Sequence, residues 1–245
     1  MTDLGWVGLI RHGESTGNVA REEAEAAGHE VIDISDRDAD VPLSDQGEDQ
    51  ARAVGRWIAE LDPALRPDVV VVSPYRRTSD TARLALAEAP GVDPVVVVDE
   101  RLRDRELGVL DLLTAGGVAA RYPEELVRKQ RLGKFYYRPP GGESWADVAL
   151  RLRALLGDVS AEHRGKRVLF FAHEMTAFLL RYLLEGIPEP ELLEIARRTV
   201  VANGSLTEWE RDGDGYRLTN EHGAEHLREH GTRPTESEDE STRSA

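Results

Sequence analysis

The sequence predicts an α/β fold built on a mostly parallel central sheet with helices on both faces, three layers in all. Three observations carry that prediction. Runs of apolar, largely β-branched residues at 69–72, 95–98 and 168–172 lack the in-and-out alternation of a half-solvated strand. They suit parallel strands covered on both faces. Helix-sized spacers separate them, so strand and helix alternate along the chain. That order calls for right-handed crossovers, which put helices on both sides of one sheet.

The first strand is the apolar run Trp6, Val7, Gly8, Leu9 and Ile10, which ends in a loop presenting Arg11 and His12. Residues 21–28 are rich in helix formers and close on Gly28, a residue suited to stopping a helix. Residues 33–40 are polar and turn-prone and read as an exposed loop. Ser44 suits an N-cap. Behind it Ala51, Val54, Trp57, Ile58 and Leu61 recur at three and four, which makes a helix with one buried face. The strand at 69–72 runs into Ser73 and Pro74, followed by a helix through Leu84 and Leu86. The strand at 95–98 is expected to be buried like the others. Residues 99–142 are the least regular and hold a local basic excess that includes Arg103, Arg105, Arg121, Arg128 and Arg138. Most of these read as a solvated face, and some as a lid that collects an anion. Ser144 caps a helix through Val148, Leu152 and Leu155, with Glu143 and Asp147 near its positive end. The strand at 168–172 ends at His173. A helix through Phe178, Leu179, Tyr182 and Leu183 follows and stops near Gly186. Residues 205–210 and 216–220 read as a hairpin around Asp212, Gly213, Asp214 and Gly215. From about Glu221 the chain is polar and is expected to be a disordered acidic tail. In it His222, His226 and His230 read as solvated residues, not as a metal site.

Composition narrows the function. The chain has 245 residues, no cysteine and a formal net charge of −15. Lack of cysteine removes disulfides and thiol nucleophiles. The negative charge argues against a nucleic-acid binder working through a basic surface. No apolar run approaches the roughly 20 residues a membrane span needs. The start of the chain has no basic region before an apolar stretch, so a cytoplasmic location is expected. An anion site here needs a local positive pocket in a negative protein.

The stretch Arg11-His12-Gly13-Glu14-Ser15-Thr16-Gly17-Asn18 offers such a pocket at the carboxyl end of a strand, where open α/β sheets bind ligands. Arg11 presents a planar fork of donors that matches a phosphate. Neutral imidazole is a competent nucleophile at phosphorus. Asn18 adds an amide donor. The strand-end sites at Ser73 with Arg77, at Arg103–Asp104 and at His173 fall on the same rim.

The string R-H-G-E-S-x-x-N resembles the signature of the histidine phosphatase superfamily, and S-P-x-x-R-x-x-x-T-A resembles its second arginine motif. The string L-S-D-Q-G-x-x-Q-A resembles a helix start of the same group. The resemblance covers the chain up to about Asn220 and implies a phosphoglycerate mutase-like fold. It implies one histidine phosphatase domain over residues 1–220, with a basic helical insertion at about 105–142 and a tail at 221–245. By that resemblance His12 is the nucleophile, Arg11, Asn18 and Arg77 hold phosphate, and His173 is the second histidine. Counting back from Gly108 puts the proton donor at Asp104, where the mutases have Glu, with Glu106 as the rival carboxylate. Relatives often have Gly where this chain has Glu174. Its backbone N–H at a helix start is expected to meet phosphate, provided that its carboxylate points away. Ser15, Thr16, Gly17, Arg138, Glu143 and Ser144 are the candidate substrate contacts. Tyr75, Trp57 and Trp145 read as packing residues.

The implied reaction is hydrolysis of a small phosphomonoester through a phosphohistidine, with no cofactor and no metal, because arginines supply the charge. A phosphoglycerate mutase with the same intermediate is the alternative. A third is a phosphate-binding protein without turnover. The expected partner is a small phosphorylated substrate, not nucleic acid or membrane, and the protein is either a monomer or a homodimer.

Overall fold

The central strands of the sheet, at 6–11, 69–72 and 167–172, are built from alternating side chains that feed two separate cores. In the structure, a computed structural model that describes residues 2–236, β2 (Val69–Val72) sends Val69 and Val71 to one face and Val70 and Val72 to the other. β4 (Arg167–Ala172) divides Val168 and Phe170 from Leu169 and Phe171 in the same way. The period of two along a strand makes this division automatic. It also explains the unbroken apolar runs, since every position is inside.

The sheet has six strands in the order β3-β2-β4-β1-β5-β6. β1 (Trp6–Arg11), β4, β2 and β3 (Val95–Val98) are mutually parallel. β5 (Leu206–Asp212) runs antiparallel to β1, and β6 (Gly215–Gly223) closes the hairpin. The chain is therefore an α/β protein with a mixed sheet flanked by helices. On one face α2 (Asp45–Glu60) and α3 (Arg76–Ala87) cover Ile10, Val70 and Phe171. On the other, α6 (Trp145–Glu162) and α7 (Glu174–Leu184) bury Trp145, Leu152 and Phe178 against Leu9 and Phe170. Among the described residues no helix is long and apolar enough to cross a membrane.

Helix boundaries follow their caps. α1 (Thr16–Ala26) begins earlier than composition suggested, because Ser15 and Asn18 form a capping box. Ser44 caps α2 through Gly47 N–H, and Ser144 caps α6 through Asp147 N–H. The middle of the chain holds two short helices, α4 (Ala115–Arg121) and α5 (Pro123–Leu132). A further helix, α8 (Glu189–Arg198), follows Pro188, beyond the stop that the sequence marks near Gly186.

Two expectations need correction. β3 is not a buried strand: Val95, Val96 and Val98 are 57%, 51% and 61% exposed. It is the sheet's outer strand, and a valine run alone cannot distinguish a central strand from an edge one. The region from Glu221 is not a disordered tail as far as Glu236. β6 extends through Gly223, and α9 (Glu225–Glu229) buries His226 and Leu227 against α2. Gln46 and Gln50 donate to the carbonyl of Arg233. His226 accordingly packs against Trp57 and bonds to the Gly204 carbonyl and is not a solvated residue. His222 also has a partner, the Thr207 hydroxyl at 2.7 Å. The rest of the expected tail, 237–245, lies outside the described residues.

Candidate active site

The strand order puts the ends of β2, β4 and β1 side by side. The residues there are Ser73, His173 and the pair Arg11–His12. Sheet topology thus gathers positions that are more than 160 residues apart in the chain.

His12 is buried, and its Nδ1 lies 2.7 Å from the Gly13 carbonyl oxygen. A carbonyl only accepts, so Nδ1 carries the proton and Nε2 keeps the lone pair. The loop that holds His12 is fixed from several sides. Gly13 N–H donates to Thr81 Oγ1 at 3.0 Å, and Glu14 N–H donates to Gln50 Oε1 at 2.8 Å. The Asn203 amide donates to the His12 carbonyl at 3.2 Å, and the Thr235 hydroxyl donates to Asn203. A Cβ on Gly47 would fall 1.9 Å from the Glu14 carbonyl oxygen. The glycine of L-S-D-Q-G is therefore needed because the loop that carries His12 rests on the first turn of α2.

His173 is fully buried, with its ring centroid 5.4 Å from that of His12. Its Nε2 meets Ser73 Oγ at 2.9 Å and its Nδ1 lies 3.4 Å from Asp104 Oδ2. The same oxygen accepts from Arg77 Nη2 at 3.1 Å. Arg77 Nη1 donates to the Asp38 carboxylate and to its backbone carbonyl, both at 2.7 Å. Arg77, Asp104 and His173 thus form one buried chain of contacts that continues to Ser73. Arg11 is buried and donates to the Val201 carbonyl. Glu174, also buried, accepts from Val201 N–H at 3.3 Å. The Glu174 carboxylate is thus held on the same loop residue as Arg11.

The two rival carboxylates are separated by this geometry. Asp104 is buried and touches both Arg77 and His173. Glu106 is exposed and accepts from the Tyr75 hydroxyl at 3.0 Å. Tyr75 does more than pack. It lies edge-on to His173, with ring centroids 5.3 Å apart, and under the Arg77 guanidinium. Burial and the neighbouring carboxylates of Asp38, Glu106 and Asp104 push its phenol pKa up, so it stays a neutral donor. Asp38 was missed as well. Its segment reads only as polar loop, and nothing local in it signals that it folds back onto Arg77.

A cleft of about 720 Å³, counting its open mouth, leads to this network. Ser15, Gly17 and Asn18 line one side and Arg77, Asp104 and Glu106 another. Asn18 Oδ1 accepts from Ser15 N–H, Ser15 Oγ and Asn203, which turns the donor end of its amide the other way. Ser15 itself is chiefly the cap of α1. Thr16, Arg138, Glu143 and Ser144 are not among the lining residues. Arg138 pairs with Asp147 at the surface, Glu143 takes Arg103 and Arg151, and Ser144 caps α6. The basic lid is also corrected, because Arg105 is the sole basic residue of 99–142 in the cleft wall. Arg101, Arg121 and Arg128 are spent on Asp99, Glu30 and Glu125. Among the described residues no three carboxylate, histidine or cysteine side chains are grouped to hold a metal.

A mixed α/β sheet with two buried histidines and an arginine–carboxylate pair at its strand ends defines an enzyme of the phosphoryl-transfer kind. The chain belongs to the histidine phosphatase superfamily (branch 1), which it matches over residues 7–222. It is 36% identical over 188 residues to the 2,3-bisphosphoglycerate-dependent phosphoglycerate mutase 2 of Gloeobacter violaceus, covering 76% of this chain and 78% of that one. The native mycobacterial glucosyl-3-phosphoglycerate phosphatase superposes with a TM-score of 0.69 at 26% identity, over 89% of this chain and 99% of that one. An α-ribazole phosphatase from Shigella flexneri shares the fold, with a TM-score of 0.67 at 19% identity, over 89% and 96% of the two chains.

Proposed function

We propose that this protein is a phosphomonoesterase that hydrolyses a small phosphate ester through a phosphohistidine on His12. The observation that carries the reading is the Nδ1 hydrogen bond of His12 to the Gly13 carbonyl, which leaves Nε2 as the nucleophilic nitrogen. Arg11, Arg77, the Asn18 amide, the Glu174 backbone N–H and His173 surround the phosphate oxygens and stabilise charge as it spreads over them. Positioning and charge are what phosphoryl transfer chiefly asks of a protein.

His12 Nε2 attacks phosphorus, the N–P bond forms and the P–O bond to the substrate alcohol breaks. Asp104 gives its proton to the departing oxygen. The incoming phosphate competes with the Asp104 carboxylate for Arg77 and adds negative charge beside it, and both effects favour the protonated acid. Water then attacks the phosphohistidine, with Asp104 taking its proton. Inorganic phosphate leaves and His12 is regenerated.

The test is release of phosphate from a panel of phosphomonoesters with chelator present, beside the His12→Ala protein. Turnover that disappears in the variant, with an acid-labile phosphoryl label on the wild-type protein, supports the reading. Interconversion of 3- and 2-phosphoglycerate without phosphate release would replace it with a mutase, the reading favoured by the name of the Gloeobacter relative. Phosphate binding with no turnover of any ester would make the protein a binding module.

A further inference from the structure

The charge around the cleft says what kind of alcohol it is built to receive. Three arginines and four carboxylates line it. Arg77 and Asp104 belong to the reaction centre. Asp38, which pairs with Arg77, lines the cleft with Glu106 and Asp111, against Arg21 and Arg105. The three acids share one region. The Asp111 carboxyl, on an exposed residue, is raised by partial desolvation and by the charges of Asp38 and Glu106, with the Leu112 N–H and Arg21 pulling the other way. Arg105 is tethered by Nε to the Glu143 carbonyl at 2.6 Å, within the wall. Apart from Ser15, Gly17 and Asn18, the remaining wall is apolar and consists of Ile32, Ile34, Val41, Leu107 and Leu112.

A phosphate ester brings about two negative charges of its own. Once Arg77 and Arg11 hold them, the rest of the cleft carries no positive excess. A second anionic group would meet three carboxylates against two arginines, and an apolar wall. Hydroxyl groups, in contrast, find acceptors in Asp38, Glu106 and Asp111, and carbon surface finds the isoleucine and leucine side chains. The Gloeobacter mutase and the mycobacterial phosphatase have names that specify carboxylate-bearing phosphoglycerates. This cleft lacks the positive excess that such a group requires.

We infer that the protein selects phosphomonoesters of uncharged, hydroxyl-bearing alcohols with some apolar surface, and discriminates against esters that carry a carboxylate. The inference rests on the phosphomonoesterase reading for its chemistry, but its selectivity is measurable without turnover.

Glycerol 3-phosphate and 3-phosphoglycerate form a matched pair, with a hydroxymethyl group in one where the other has a carboxylate. The expected kcat/KM is higher for glycerol 3-phosphate by about tenfold or more, the order that one like-charge contact at a protein surface supplies. The ratio should shrink as salt rises, which a preference based on shape would not do. Asp111→Asn should narrow the ratio about threefold by improving 3-phosphoglycerate, through the loss of one mouth charge. Equal or better turnover of 3-phosphoglycerate, or a ratio unmoved by both salt and Asp111→Asn, would overturn the inference. If neither ester is hydrolysed, the esterase reading fails on its own. Calorimetric binding of the two esters to the His12→Ala protein then decides the selectivity. Tighter or equal binding of 3-phosphoglycerate overturns it, and tighter binding of glycerol 3-phosphate upholds it.

Discussion

Asp104 and Glu106 are two residues apart and differ in every physical respect that matters to a proton donor. Asp104 touches Arg77 and His173 inside the protein, whereas Glu106 lies outside with its oxygen on the Tyr75 hydroxyl. General acid catalysis is worth about 10²–10⁴-fold when the leaving group is a poor one. Asp104→Asn should therefore lower kcat on an alkyl phosphate by about that factor. On a nitrophenyl ester, whose leaving group needs little protonation, the loss should be about tenfold or less. Glu106→Gln should leave both rates within about threefold. Comparing the two substrates across the two variants checks the assignment, and the reverse pattern would move the acid to Glu106. At this scale sequence spacing gives the positions of the residues inside compact motifs. His12 and His173 each sit next to a strand end and Arg77 in the first turn of α3, and the sheet does the rest. Asp38 and Tyr75 were not legible, because their contacts are made by loops whose paths no local pattern records.

The elements show the same division between what local rules fix and what packing decides. Caps and periodicity gave α2 and α6 their starts, since Ser44 and Ser144 satisfy the first free amides of their helices. Burial of a strand depends on its neighbours, and so the four valines of β3 misled where the four of β2 did not. The segment after β6 was misread for a related reason. It is polar in composition, yet a few contacts anchor it, with Leu227 in the core and Thr235 on Asn203 beside the loop that carries His12. The contact between that loop and α2 gives a sharp test of packing. Gly47→Ala puts a Cβ 1.9 Å from the Glu14 carbonyl oxygen, with backbone on both sides. It should cost about 2–3 kcal/mol of stability and reduce turnover through displacement of His12. Gly157→Ala in α6 meets nothing within 4 Å. It should instead stabilise the protein by about 0.5–1 kcal/mol. Denaturant midpoints for the two variants check both signs, and two equal losses would mean that the close approach is not the cause.

At the level of the whole molecule, charge and burial pull stability in opposite directions as pH falls. The formal net charge is −15 at neutrality, so mild acid relaxes self-repulsion and should favour the folded chain. The buried histidines oppose this. His222 is packed on Phe178, hydrogen-bonded to Thr207 and near Arg181, and burial followed by the Arg181 charge pushes its pKa down to about 4. His226 is lowered by burial as well. The unfolded chain binds these protons near pH 6.5 and the folded one does not. Stability from this source is therefore fully present above about pH 6.5 and is lost as pH falls toward 4. His222 alone should remove about 2 kcal/mol between pH 7.5 and pH 5.0. Carboxylates held low, such as Asp147 at about 2, lose their contribution only below the unfolded carboxylate range of roughly 4, outside that interval. The decisive comparison is urea unfolding of the wild-type and His222→Gln proteins at the two pH values. The variant should be less stable at pH 7.5, where the packed ring is lost, yet fall about 2 kcal/mol less on going to pH 5.0. Equal falls in the two proteins would mean that His222 takes up its proton without unfolding. Any remaining acid sensitivity would then come from His226 and the other buried groups.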